Sequence, residues 1–271
     1  MPELSILLPH VAALIVIGGF AGVVGGLLGV GGGIVLVPAF FHAFTALGYG
    51  TGQVMQVCVA TSLATIVVTS TRSVSAHHRK GAVDWSVLKG WGPWLVASAA
   101  LGVVVAARVP SAALQAVFGV LAGLAGLWMA FGRDSARLGA AMPVGPVRGV
   151  LASSVGFFSA LMGIGGGTFG VPLMTLFAMP IHRAVATASG FGVLIAVPSV
   201  LGFLLVKAEG APPWTVGAVN LPAFLVVIGT SVLTTPYGVR LAHAMNPRPL
   251  KRAFAVFLTL VALNMLRKVL W

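Results

Sequence analysis

The sequence predicts an all-α polytopic membrane protein made of two inverted repeats of about five hydrophobic segments each, with broken or re-entrant helices at two GxGGG-x4-P motifs. Three observations carry this. Of 271 residues, 58% are hydrophobic and only 7% charged, against about 25% charged in a soluble domain. The mean hydropathy is +1.06. The apolar residues fall into long runs, and one glycine-rich motif occurs twice, in the same order relative to its neighbours.

The composition excludes a water-soluble enzyme, a disordered tail and a nucleic-acid-binding module. Cys58 is the sole cysteine, which excludes a disulfide scaffold. The runs are continuously apolar, whereas outer-membrane barrel strands alternate. Met1 to His10 carries one acid, Glu3, and no basic n-region, so the first run is expected to stay in the protein rather than leave as a signal peptide.

A spanning helix needs about 20 apolar residues. Runs are read at 10–28, 34–47, 52–76, 86–107, 111–131, 146–163, 167–180, 183–206, 217–240 and 250–270. The segments 34–47 and 167–180 are too short to span comfortably. Each follows a glycine cluster and holds a proline near its start, which marks a re-entrant or broken helix. Asp84 is placed at a helix start. His77 and His78 are expected in a surface loop with Arg79 and Lys80.

Gly29-Val-Gly-Gly-Gly33 followed by Pro38 matches Gly163-Ile-Gly-Gly-Gly167 followed by Pro172, at an offset of 134. Val59-Ala60-Thr61-Ser62 matches Val185-Ala186-Thr187-Ala188-Ser189 at an offset of 126. The expected organisation is repeat 1 over 1–132, a cytoplasmic linker over 133–146 and repeat 2 over 147–271. The basic residues set the orientation. If each glycine-centred pair is a hairpin returning to its own side, 12 of the 16 Lys and Arg share one face and Arg108, Lys207, Arg267 and Lys268 take the other. If each pair crosses once, the split is 10 to 6. The positive-inside rule favours the hairpins, with both termini outside. That gives the two repeats opposite orientations, a plan met in secondary transporters.

The candidate binding residues follow from the duplication. Gly31, Gly32 and Gly33 with Gly165, Gly166 and Gly167 expose amide N–H groups unshielded by side chains. The short helix after each cluster points its positive end at the same place. Close helix packing explains small residues in membranes equally well. Thr61 and Ser62, with Thr187 and Ser189, offer hydroxyls in the next helix of each repeat, and back-bonding to the helix carbonyls is their alternative use. Gln56 is a candidate donor, with Gln53 nearer the surface. Arg72 reads as a snorkelling interfacial residue and Cys58 as a small buried residue. No metal-ligand spacing, catalytic constellation or cofactor motif is seen. All four acids (Glu3, Asp84, Asp134 and Glu209) fall at loops or run ends. Cation carriers rely on intramembrane carboxylates, so the pattern favours an anion.

Gly29–Pro38, Ala60-Thr61-Ser62, the stretch His77 to Trp85, Gly163–Pro172, Gly229-Thr-Ser-x-x-Thr-x-Pro-x-Gly238 and Leu250-Lys-Arg-Ala-Phe254 together resemble the TauE/SafE-type sulfite exporter family, also called the TSUP superfamily of anion transporters. The resemblance implies a transporter, not an enzyme, of sulfite, sulfoacetate or another organosulfonate, working by alternating access around a midplane anion site. Thiosulfate or a carboxylate is the alternative substrate. An anion channel is a further alternative, as is an intramembrane hydrolase built on Ser189. In the hydrolase reading, His182, seven residues earlier on the same helix, cannot reach that serine. The expected partners are a small anionic substrate and the lipid bilayer, not nucleic acid, with a homodimer as a candidate assembly. The expected location is the inner membrane, multi-pass, with periplasmic termini.

Overall fold

The computed structural model describes residues 4–131, 137–244 and 247–270. Linker residues 133–136, with Arg133 and Asp134, lie outside them. Among these described residues ten helices follow one another: α1 (Leu4–Leu28), α2 (Gly33–Ala46), α3 (Val54–His78), α4 (Trp85–Ala106), α5 (Ser111–Phe131), α6 (Gly145–Met162), α7 (Gly167–Leu176), α8 (Ile181–Leu204), α9 (Leu221–Ala244) and α10 (Pro247–Leu270). Among the described residues, seven helices are long and apolar enough to cross a membrane. α2 and α7, with 14 and 10 residues, reach only about 21 and 15 Å at 1.5 Å per residue. The chain is thus a polytopic all-α membrane protein.

Two segments differ from the sequence reading. α1 starts at Leu4 rather than residue 10, and Pro9 sits inside it. The run at 217–240 is not helical throughout. Thr215–Val216 (β1) pairs antiparallel with Val219–Asn220 (β2), and α9 starts only at Leu221. Gly217 turns this small hairpin at φ +61°, and Ala218 N–H donates to Phe203 O at the end of α8. Asn220 then caps α9, its Oδ1 accepting Ala223 N–H at 3.1 Å.

α3 and α8 form the centre. Within the apolar 18-residue stretch of each helix, 78% of residues are buried in α3 and 67% in α8, against 33% in α9. The outer helices turn Val16, Phe20, Leu124, Leu225 and Leu233 outward, as expected of surfaces facing lipid. Small residues set the packing distances. Gly18, Gly22 and Gly26 of α1, four residues apart, lie against Thr230, Ser231, Thr234 and Thr235 of α9. There Ser231 Oγ donates to Gly18 O at 2.8 Å and Thr234 Oγ1 to Gly19 O at 2.8 Å. Close backbone approach through small residues is a main source of helix association in membranes.

The helix pairings have a pattern. α1 packs on α9 as α6 packs on α4, α3 on α9 as α8 on α4, and α2 on α3 as α7 on α8. Each partner becomes its equivalent when the first five helices are exchanged for the last five. The equivalent helices α3 and α8 cross antiparallel, since Ser70 meets Gly192 and Ser73 meets Ser189. α5 and α10 are antiparallel too, with Gln115 at Met265 and Gly126 at Thr259.

The two ends of the bundle are distinct. At the linker face, His77 reaches Gly26 and His243, Asp84 pairs with Arg183, and Arg137 donates to Thr175 O. At the opposite, terminal face, Met55 N–H donates to Ser111 Oγ and Gln53 N–H to Glu209 O.

Candidate functional site

The two glycine turns meet beside the α3–α8 crossing. Gly29 and Gly163, the first glycines of the two motifs, hold φ of +68° and +67°, a region that costs side-chain-bearing residues strain. Each lets a long helix end and the chain fold back into a short one. The turns then touch, backbone on backbone. Gly165 N–H donates to Val30 O at 3.2 Å. A Cβ on Gly33 would stand 2.5 Å from Gly163 O, and one on Gly167 would fall on Gly29 O. From α3, Ser62 Oγ donates to Gly163 O at 2.7 Å and Thr69 Oγ1 to Gly31 O at 3.0 Å.

The structure therefore brings together Gly31, Gly33, Gly165, Gly167, Ser62 and Ser189. Ser189 Oγ lies 2.9 Å from Ser73 Oγ and back-bonds to Val185 O. Gly32 and Gly166 face elsewhere. A Cβ on Gly32 would meet Ala21 O of α1 at 2.7 Å, and one on Gly166 would meet Phe191 of α8 at 2.6 Å. Both cap short helices, and neither N-terminus has a side-chain cap. Val35 N–H of α2 donates to Gly32 O at 3.0 Å. The remaining first-turn N–H groups of α2 and α7 lack intrahelical acceptors, as in any helix, and Gly33, Ile34, Gly167 and Thr168 are buried.

Thr61 and Thr187 are not brought together. Thr61 Oγ1 accepts Asn220 N–H at 3.0 Å, ahead of α9. Thr187 Oγ1 accepts Asp84 N–H at 3.0 Å, ahead of α4. Each threonine of the duplicated motif thus holds the cap residue of a helix in the other half of the chain. Thr61→Val and Thr187→Val are expected to cost about 1–3 kcal/mol each, the penalty of an unpaired buried amide. Thermal unfolding in detergent measures it.

Gln56 lies at the terminal face. Its Nε2 donates to Ala106 O at 3.2 Å and Val109 O at 2.7 Å, closing the end of α4. Ser189 pairs with Ser73 while His182 stacks on His243, so these two do not form the nucleophile–base couple of a hydrolase. His77 is not in a surface loop. It belongs to the last turn of α3 and is 1% exposed, because α1 and α9 converge on it.

Sequence reasoning passed over Thr69, Ser70, Ser73 and Thr168. Thr69 and Ser73 were visible as a stripe. Ser62, Thr65, Thr69 and Ser73 follow helical spacing and share one face of α3. Ser70 is fully buried beside Gly31 and Gly192. Its Oγ and that of Thr168, second residue of α7, are buried without a hydrogen-bond partner.

Asp84 starts α4, as expected. Its carboxylate accepts from Ser86 Oγ and from the amides of Ser86 and Val87, and it pairs with Arg183 at 2.9 Å. The Ser86 hydroxyl above all, with the Val87 amide and Arg183, holds the carboxyl below its usual range, against a smaller opposing effect of burial. A depressed folded value means that the stabilisation is present above the unfolded carboxylate pKa of about 3.9. It is lost as pH falls through the lowered folded value. The thermal stability of Asp84→Asn should therefore be lower than wild type at pH 7 and converge with it in acid.

With this geometry in hand, residues 14–265 match the family model for the sulfite exporter TauE/SafE. The chain belongs to the TauE/SafE sulfite exporter family. It is 29% identical to a "Probable membrane transporter protein" of Haemophilus influenzae, covering 94% of this chain and 97% of that one. A second of the same description, from Methanocaldococcus jannaschii, is 26% identical, with 97% of each chain covered. The "Probable membrane transporter protein MamO" of Magnetospirillum gryphiswaldense is 28% identical over 82% of this chain and 40% of its own length. No solved structure matches. Membership makes this TauE/SafE family chain a membrane transporter.

Proposed function

We propose that the protein is a secondary transporter of a small oxidised-sulfur anion, such as sulfite, sulfoacetate or another organosulfonate. Substrate is held where the two glycine turns meet the α3–α8 crossing. The observation that carries this is a set of unspent donors in a buried place. Two uncapped helix N-termini converge there, and Ser70 and Thr168 add hydroxyls without partners. Among the described residues no carboxylate is buried, which suits an anion. Hydroxyls and amides can release a sulfonate more readily than a fixed cation would, as transport requires.

Two inverted repeats, 1–132 and 147–271, account for the exchangeable pairings and for the antiparallel α3 and α8. Alternating access then follows from one half moving against the other about this crossing. The linker face, with Arg79, Lys80, Arg137 and Arg183, is the cytoplasmic one, and both termini are periplasmic in an inner-membrane location. Labelling an introduced cysteine beside Arg79 from the outside only would refute that orientation.

Uptake into liposomes holding the purified protein tests the activity. Saturable uptake of labelled sulfite or sulfoacetate, competed by other sulfonates, is the expected result. Uptake linear in concentration would point to a channel. A thermal-shift panel of sulfite, sulfoacetate, thiosulfate, taurine and simple carboxylates ranks the substrates, since a ligand of the folded state raises apparent stability.

A further inference from the structure

We propose that His77 and His243 form a proton site at the linker face, and that proton and anion binding reinforce one another there. This rests on the transporter reading above. Among the described residues, no Asp, Glu, Lys or Arg is buried, and the buried ionisable side chains are Cys58 and His77. Only an imidazole among these ordinarily changes charge between about pH 5 and 8.

The hydrogen bonds fix the protons. His77 Nε2 lies 3.3 Å from Gly26 O, and a carbonyl can only accept, so Nε2 carries the hydrogen. In the neutral ring Nδ1 is then a bare acceptor. It lies 3.1 Å from His243 Nε2, which must be the donor, leaving His243 Nδ1 as a free lone pair. His243 is partly exposed, whereas His77 is buried. A proton arriving from the linker side therefore binds His243 Nδ1. The hydrogen on His243 Nε2 passes to His77 Nδ1. His77 becomes an imidazolium that donates to both Gly26 O and His243 Nε2, and His243 ends neutral as the Nδ1–H tautomer. One proton is gained and every hydrogen bond is kept with its direction reversed where needed.

The charge is placed where an anion would feel it. Gly26 is in the last turn of α1, whose terminal carbonyls lack intrahelical donors. A cation at a helix C-terminus is favourable. Gly29 of the glycine turn is three residues farther on. The groups facing His77 are His243 from α9, His182 from α8 and Lys80 from the loop after α3. The last turn of α1 carries no charged side chain. Nearby, Arg183 is held by Asp84 and Arg240 lies over Tyr237. Burial above all, and then the basic character of the faced groups, opposes the added charge until an anion arrives. Linkage makes the effect reciprocal.

Two measurements on the full chain in nanodiscs test this. Sulfoacetate affinity is read from pH 8 to 5.5, a range in which the probe does not itself titrate. Wild type should bind roughly tenfold more tightly at the acid end, within the usual span of coupling between sites, while His77→Gln binds with little pH dependence. A flat wild-type profile, or a variant that keeps the wild-type slope, overturns the coupling. Nitrogen NMR of the imidazoles is independent of any transport. It should show one ring passing from the neutral Nε2–H form to the doubly protonated form, lost in His77→Gln and moved to higher pH in His182→Gln or when sulfoacetate is added. If sulfoacetate does not bind at all, the substrate reading fails and the NMR still decides the proton site. A His77 ring that stays neutral down to pH 4, with and without sulfoacetate, removes it.

Discussion

Gly167→Ala will leave almost no folded protein in the membrane fraction, while Gly229→Ala will leave the yield unchanged. A methyl group on Gly167 would land on Gly29 O and press on Val30 N. Both obstacles are backbone of a turn that is itself locked by positive-φ glycines, so neither can rotate away as a side chain would. Overpacking of a core commonly costs about 1–3 kcal/mol, occasionally more, and a buried backbone clash belongs at the upper end. Gly33→Ala should behave alike, since its Cβ would stand 2.5 Å from Gly163 O and 2.6 Å from Ile66 Cδ1. Gly229, in α9, has nothing within 4 Å of an added Cβ. There alanine can only gain the helix preference, about 1 kcal/mol at most. Fluorescence-detected size exclusion of tagged variants reads all three. Normal recovery of Gly167→Ala would mean that the two turns are not in contact.

Ser70→Ala and Thr168→Val should move stability and affinity in opposite directions. Each hydroxyl is buried with no partner, and an unsatisfied buried polar group carries a desolvation penalty of about 1–3 kcal/mol. Replacing it with an apolar group removes that penalty, so the variants should melt at or above the wild-type temperature. If these hydroxyls await an anion, each should also lose a charge-assisted hydrogen bond worth about 1.5–3 kcal/mol. That is roughly tenfold or more in Kd. A purely structural hydroxyl would not give this pairing of signs. Thermal unfolding with and without sulfite or sulfoacetate measures both quantities in one experiment, and unchanged affinity in both variants would move the site elsewhere.

Most helices were legible because lipid demands uninterrupted apolar length, and nine of the ten predicted runs fall on one helix each. The hairpin before α9 was not, since Thr215, Val216, Val219 and Asn220 are a short apolar-and-polar stretch that reads as the start of the helix they precede. Pro212, Pro213 and Gly217 were the signal against it. The contact between the glycine turns was only partly readable. Spacing announced that two turns are equivalent, but not which face each glycine presents. Gly33 and Gly167 look across the junction, whereas Gly32 and Gly166, beside them in sequence, look back at Ala21 and Phe191. Duplication was equally ambiguous for Thr61 and Thr187, because a repeated hydroxyl can mark a repeated cap as well as a shared ligand. The partners of those caps, Asn220 and Asp84, lie 159 and 103 residues away, and no local pattern reveals them. His77 followed the same logic. Its basic neighbours suggested solvent, and only the convergence of α1 and α9 buries it.

Substrate protection of a cysteine at position 70 tests the central claim most directly. Ser70→Cys is made with Cys58→Ala, which removes the sole native thiol, and the protein in liposomes is treated with N-ethylmaleimide. The anion that gives the largest thermal shift, sulfite apart because it consumes maleimide, is the protector. Labelling that proceeds during turnover and slows in a saturable way, with half-protection near the concentration that half-saturates uptake, is the predicted result. Labelling at the same rate with and without saturating amounts of an anion that the same vesicles transport would contradict a binding site at the α3–α8 crossing.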